Sequence, residues 1–198
     1  MNTIAEKSHE EIEVKLKLTD AQLHIFEKWL NQNTKFQEVQ SHEEIYLTHP
    51  KIDWIEENIQ TRYLRIRKMK DKKQLCFKKL NFKEDKRYCD EYEIEISDSE
   101  KLLKIFQLLG FEENCHINKT RKVFQFQGLE INLDIVDELG SFVEIEVIER
   151  NSPSVLEEFQ RIDQFLKSLG LSQAKRINIG YVQLMSLNKK ATSSNSRI

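Results

Sequence analysis

Alternation of charged and apolar residues, repeated in segment after segment, is what most narrows the folds open to this chain. In residues 11–18, EIEVKLKL, an extended strand puts Glu11, Glu13, Lys15 and Lys17 on one side and Ile12, Val14, Leu16 and Leu18 on the other. Residues 129–135 set Leu129, Ile131, Leu133 and Ile135 against Glu130, Asn132 and Asp134, and Val143, Ile145 and Val147 oppose Glu144 and Glu146. Likewise Arg65 and Arg67 oppose Leu64 and Ile66, Glu91, Glu93 and Glu95 oppose Tyr92, Ile94 and Ile96, and Lys119 and Arg121 share a face. Either water or a highly charged ligand covers the ionic faces.

Taken one at a time, antiparallel strands that bury one face and wet the other explain the pattern. The sorting of sign points further. Arg65, Arg67, Lys78, Lys119 and Arg121 fall on basic strands, and Glu91, Glu93, Asp134, Glu144 and Glu146 on acidic ones, whereas a solvated surface mixes the two. About eight such strands closed into an antiparallel barrel, ionic face inward and apolar face outward beneath helices, would form a charged tunnel. Acids and bases facing each other across a wet channel neutralise one another and leave room for a polyanion with metal ions.

The remaining elements fit an α+β class. A Thr19-x-x-Gln22 capping box opens a helix with Leu23, Phe26 and Leu30 on one face. A second helix follows Ser97 or Asp98 as N-cap and ends at Gly110, and a third opens at Ser152-Pro153 and closes at Gly170. Strands are expected at 35–48, 62–69, 74–80, 88–96 and 140–150, with a hairpin folded at Gly128, and 50–60 reads as a loop with one short helix opening at Pro50. Residues 1–187 form one domain in this reading, and the polar, aperiodic 188–198 a disordered tail.

Composition removes several function classes. With 31 Lys+Arg against 33 Asp+Glu and a net charge of -2, the chain lacks the basic excess of a nucleic-acid binder. Cys76, Cys89 and Cys115 make no C-x-x-C pair, so neither a disulfide framework nor a structural zinc site is expected. The five histidines form no ligand cluster and are assigned solvated or structural roles. No long apolar run suits a membrane span and MNTIAEKSHEE has no signal-peptide core, so a cytoplasmic protein without membrane or nucleic-acid partners is expected.

The motif E-x-E-x-K at Glu11, Glu13 and Lys15, followed in order by LRIR, CFKKL, EYEIE, NKTRK, LDIV and ELGSFVEIE, resembles the CYTH superfamily of triphosphate tunnel metalloenzymes from residue 9 to about 185. The resemblance implies a closed eight-stranded antiparallel barrel whose Lys15, Arg65, Arg67, Lys78, Lys119 and Arg121 grip a triphosphate. It implies Mg2+ or Mn2+ on Glu11, Glu13 and Glu144, with Glu146 and Asp134 as further ligands and Glu91 and Glu93 as supporting acids that orient the bases. Lys15, Glu11 and Glu13 are the implied catalytic residues, with Lys15 or a carboxylate as base, and a homodimer is the implied assembly. EEIYLT, INKTRKVFQFQG and LDIVDELGSFVEIE look closest to class IV adenylate cyclases, which convert ATP to cyclic AMP and pyrophosphate. The alternatives are a triphosphatase acting on thiamine triphosphate, tripolyphosphate or nucleotides, and a non-catalytic phosphate-binding module. Two departures stand out: Thr48 where the family often has Asp, and Gly180-Tyr181 in place of a Ser-Tyr pair.

Overall fold

The computed structural model describes residues 9–56, 59–84 and 86–195. Among them, in chain order, are β1 (His9–Glu11), β2 (Glu13–Lys17), α1 (Asp20–Asn33), β3 (Lys35–Thr48), β4 (Ile55–Glu56), β5 (Ile59–Gln60), β6 (Arg62–Lys68), β7 (Lys73–Lys83) and β8 (Lys86–Glu95). Then come α2 (Ser99–Leu108), β9 (Glu112–Phe126), β10 (Leu129–Val136), β11 (Gly140–Val147), α3 (Val155–Ser168), β12 (Lys175–Arg176) and α4 (Tyr181–Asn195). One large antiparallel sheet runs β1-β8-β7-β6-β3-β9-β10-β11-β2-β12, and β4 and β5 form a separate pair. Its two ends meet in one stretch of chain, since only Ile12 separates β1, which pairs with β8, from β2, which pairs with β11. Ile12 itself accepts a hydrogen bond from Val147 N at 3.0 Å.

The apolar sides of the strands are buried as their alternation requires. Ile12, Val14 and Leu16 pack with Ile131, Val143 and Ile145 beneath Phe26 and Leu30 of α1 and Phe159, Ile162 and Leu166 of α3. A second apolar cluster joins Ile45, Leu64 and Ile66 to Leu102, Leu103 and Phe106 of α2. The outer side of β8 departs from this rule, because Tyr92 and Ile94 stay 47% and 60% exposed.

Local chemistry sets the helix ends. Thr19 Oγ1 accepts from Gln22 N while Gln22 Oε1 accepts from Thr19 N at 3.0 Å, a reciprocal capping box. Asp98 caps α2, accepting from Lys101 N at 2.8 Å. Helix α3 starts two residues later than Pro153, with Ser154 as cap, because the buried Glu158 draws the preceding chain in by accepting from Asn151 N and Ser152 N at 2.6 and 2.7 Å. No helix opens at Pro50 among the described residues: Trp54 is buried, its Nε1 donates to His49 O at 3.0 Å, and the backbone turns there into the β4–β5 hairpin.

Helix α4 lies beyond what the sequence pattern gave. It runs through Asn195 and so takes in most of the stretch read as an irregular tail, while 196–198 lie outside the described residues. Tyr181, Val182 and Met185 bury a narrow stripe against Tyr46, Tyr63, Ile117 and Phe142, which fixes the helix from its first turns. No helix among the described residues is long and apolar enough to cross a membrane.

Candidate active site

The ionic sides of the strands line one cavity of about 860 Å3. Its walls include Lys15, Arg65, Arg67, Lys78, Lys119 and Arg121 and also Glu11, Glu13, Glu91, Glu93, Glu144 and Glu146, so the structure brings together twelve of the thirteen residues singled out in the sequence. The thirteenth, Asp134, sits just behind the wall at 1% exposure. Strand register makes this possible: Glu130, Glu146 and Glu13 are successive partners across β10, β11 and β2, as are Asn132, Glu144 and Lys15 one step along.

The basic part of the wall is pre-oriented by buried acids. Glu44 Oε1 accepts from Arg67 Nε at 2.9 Å and Arg65 Nη1 at 3.3 Å, and its Oε2 takes the Tyr46 hydroxyl at 2.9 Å. Burial alone would raise the Glu44 carboxyl, yet Arg65, Lys119 and Arg67 hold it well below the usual range, so it is a fixed anion. Glu91 lies 3.5 Å from Arg65 and 3.2 Å from Lys78, and Glu93 lies 3.6 and 3.5 Å from the two arginines. Sequence reasoning passed over Glu44, although its period-two spacing with Tyr46 was the available signal.

Asp134 holds the other arm of the grip. It accepts from Lys119 Nζ and the Tyr181 hydroxyl at 3.1 Å each and from Arg121 Nε and Nη2 at 2.6 Å each. Three of these donors meet Oδ2 and one meets Oδ1, which commits Asp134 to orienting the basic side chains and leaves only the second lone pair of Oδ1 for the metal role implied by the motif. Glu144 reaches Lys15 Nζ at 3.0 Å and also pairs with Arg121. Lys15 and Lys119 stand over the Tyr181 ring at 4.2 and 5.3 Å from its centroid.

Acids crowd together elsewhere in the same cavity. Glu146 is flanked in register by Glu130 and Glu13, and its carboxyl is pushed up to about 9 by burial and by Glu11, with Glu13 and Glu130 adding to the effect and Lys78 only partly offsetting it. Glu130 was not singled out in the sequence, and only the register reveals that it joins this group. Lys78 pairs with Glu11, and Arg87 and Lys15 reach Glu13 at 3.3 and 4.0 Å, yet the hard carboxylate oxygens gathered around Glu146 have the donor chemistry for Mg2+ or Mn2+, and a divalent ion would relieve their repulsion. Among the described residues, Cys76, Glu91 and Glu93 are the group whose ligand atoms lie within 4.8 Å of one another, and Arg65, Arg67 and Lys78 compensate those acids.

The buried thiols of β7 and β8 are inert donors. Cys76 Sγ donates to Glu91 at 3.0 Å and Cys89 Sγ to Glu11 at 2.9 Å, and burial first, then the nearby carboxylates, raises both, Cys76 to about 12.

Comparison with known proteins agrees with this geometry. Residues 9–181 match the CYTH domain family. A protein of Methanocaldococcus jannaschii named "Putative adenylate cyclase" is 31% identical over 180 residues, covering 89% of this chain and 99% of its own. A conserved hypothetical protein of Pyrococcus furiosus has a similar solved structure, with a TM-score of 0.72, 30% identity, and coverage of 88% of this chain and 99% of that one. A structure from Pyrococcus horikoshii gives a TM-score of 0.74 at 29% identity, covering 88% and 97%.

Proposed function

The chain belongs to the CYTH domain family, and on that premise we propose that it is a metal-dependent enzyme that binds ATP in the charged cavity and converts it to cyclic AMP and pyrophosphate. The observation that carries the reading is the opposition, in one cavity, of a basic grip and a set of acids crowded around Glu146. We read the sheet as a closed eight-stranded barrel, counting β1 and β2 as one strand with β3, β6, β7, β8, β9, β10 and β11, because that one strand pairs at both ends of the strand order.

In this reading Arg65, Arg67, Lys78, Lys119, Arg121 and Lys15 take the triphosphate oxygens, the arginines through planar forks already aimed by Glu44 and Asp134. Glu11, Glu13 and Glu146, with Glu144 beside them, would hold the divalent ion, which supplies charge neutralisation at the phosphate oxygens. The ribose 3′ oxygen bonds to the α-phosphorus, the bond from that phosphorus to the bridging oxygen breaks, and the pyrophosphate leaves with its charge held by the arginines. The proton of the attacking hydroxyl has carboxylate acceptors in the same cavity. A volume of about 860 Å3 also suits a whole nucleotide, being in the range of complete small-molecule sites. The name of the Methanocaldococcus jannaschii relative points the same way.

Hydrolysis of a triphosphate is the second reading, and one observation favours it. Tyr46 and Tyr181 have their hydroxyls bound to Glu44 and Asp134 and sit in a buried apolar cluster, which ties up two rings that could otherwise meet a base. Water attacking a terminal phosphorus needs only the grip and the metal. Incubation with ATP, thiamine triphosphate or tripolyphosphate and Mg2+ or Mn2+, followed by product chromatography, separates the two. Cyclic AMP with pyrophosphate supports cyclisation, orthophosphate supports hydrolysis, and no turnover of any triphosphate overturns both. Binding that survives Glu11→Gln and Glu13→Gln in a chain without turnover would instead identify a phosphate-binding module.

A further inference from the structure

His42 lies on β3 within the cavity wall, only 3% exposed, and hydrogen bonds fix which of its nitrogens is bare. Gln40 Nε2 donates to Glu38 Oε1 at 2.7 Å, which turns Gln40 Oε1 toward His42 Nε2, also at 2.7 Å. An amide oxygen only accepts, so Nε2 carries the hydrogen of the neutral ring and Nδ1 carries the lone pair. Nδ1 has no hydrogen-bond partner. Glu44 Oε1 is 3.8 Å from it and is already taken by Arg65 and Arg67.

The charged groups facing the ring are Glu44 on its own strand, Lys119 and Arg121 on β9 and Arg67 on β6, and Lys119 is its direct partner in register. Burial first, and then the three cations, lowers the imidazole to about 3, so the ring is neutral in the empty cavity. A buried acceptor without a donor is costly to keep, which marks the position as shaped for something that arrives. Those same three cations are among the groups assigned to the triphosphate, and a bound polyanion would cancel their field and reverse it. One unit charge at about 5 Å in an effective dielectric of about 20 moves a proton equilibrium by about two powers of ten, and a triphosphate brings several such charges. A permanent cation at this site would instead set a fourth like charge beside Lys119, Arg121 and Arg67.

We propose that His42 is a proton-coupled phosphate ligand: as a polyphosphate chain enters, Nδ1 takes one proton from solvent and donates it in a hydrogen bond to a phosphate oxygen. This rests on the triphosphate reading of the cavity. The test is calorimetric titration of the full chain with inorganic tripolyphosphate, in EDTA, in buffers of different ionisation enthalpy, for the wild type and His42→Gln. Imidazole nitrogen chemical shifts of the wild type are followed over the same titration. The wild type is expected to take up about one proton more per ligand than the variant, and its affinity to rise about tenfold more per unit fall in pH. One imidazole should pass from neutral to doubly protonated as ligand is added, a readout that does not depend on the variant folding. Equal proton uptake in the two proteins, or imidazole signals that all stay neutral, overturns the proposal while tripolyphosphate binding leaves the parent reading standing. Failure of the wild type to bind tripolyphosphate at any pH sinks both.

Discussion

Arg121 grips Asp134 through two parallel hydrogen bonds of 2.6 Å, Nε to Oδ1 and Nη2 to Oδ2, across directly paired positions of β9 and β10. Both side chains are buried, so the pair is anchored by the sheet itself, and Arg121 reaches the cavity with its orientation set before any ligand arrives. Pre-orientation of this kind lowers the cost of ordering a guanidinium around phosphate.

Asp134→Asn keeps the shape of this anchor and removes its charge, leaving Arg121 and Lys119 buried with too little compensation. A loss of about 3–5 kcal/mol is expected, a fall in Tm on the order of 10 °C, together with weaker triphosphate binding. Because Arg121, Lys119 and the Tyr181 hydroxyl already engage Asp134, Mn2+ affinity measured by calorimetry should change less than about twofold. A large loss of metal affinity with an unchanged Tm would show that Asp134 is a ligand after all.

Glu44→Gln tests the other arm. Arg65 and Arg67 lose their shared anion and can swing from the phosphate-binding geometry. KM for the triphosphate should rise about tenfold, near 1.4 kcal/mol, with a smaller change in kcat, since the group acts on binding rather than on the reacting atoms. Steady-state kinetics with the best substrate decides, and an unchanged KM would refute the role.

The ionic and apolar faces of the sheet were legible because a period of two separates Lys15 from Val14 and Arg65 from Leu64 without ambiguity. Glu130 and Glu44 were not, because their importance comes from partners that register supplies: Glu130 stands beside Glu146, and Glu44 beside Arg67. His42 was passed over because it has no companion histidine at ligand spacing, and only the fold surrounds it with Lys119, Arg67 and Arg121. Helix α4 was hidden for a different reason. Its buried side is a short stripe at Tyr181, Val182 and Met185, too narrow for periodicity to reveal. The exposed Tyr92 and Ile94 show the converse limit, since an apolar side chain does not by itself say that something in the same chain covers it.

Gly180 stands where a Ser-Tyr pair was expected, and the structure gives the reason. A Cβ there would lie 3.1 Å from the Tyr63 hydroxyl and 3.2 Å from two of its ring carbons. Tyr63 is buried in the cluster that seats α4, so it has little room to yield. Gly180→Ser should cost about 1–3 kcal/mol, a fall in Tm on the order of 5 °C, measured by calorimetry. A Tm equal to that of the wild type would show that the ring shifts freely.

Glu146 makes stability depend on pH in a direction opposite to that of an ordinary paired carboxylate. Its folded value of about 9 lies above the ordinary 4.5, so between those limits the folded chain holds a proton that the unfolded chain has released. Stability therefore falls as pH rises through this window: the contribution is fully present below about 4.5 and is lost as pH passes about 9. Glu146→Gln removes the titration. In EDTA, the Tm of the variant should match the wild type near the acid end of the window and exceed it by about 3 °C or more near the alkaline end, where a carboxylate would be forced among Glu11, Glu13 and Glu130. The same substitution should weaken Mn2+ binding at least about tenfold and abolish the proton that the wild type releases on taking up the ion, since a carboxyl must ionise before it ligates. Parallel Tm profiles for the two proteins across the window would show that the acids beside Glu146 do not crowd it, and the carboxylate group would then lose its claim to be a place prepared for a cation.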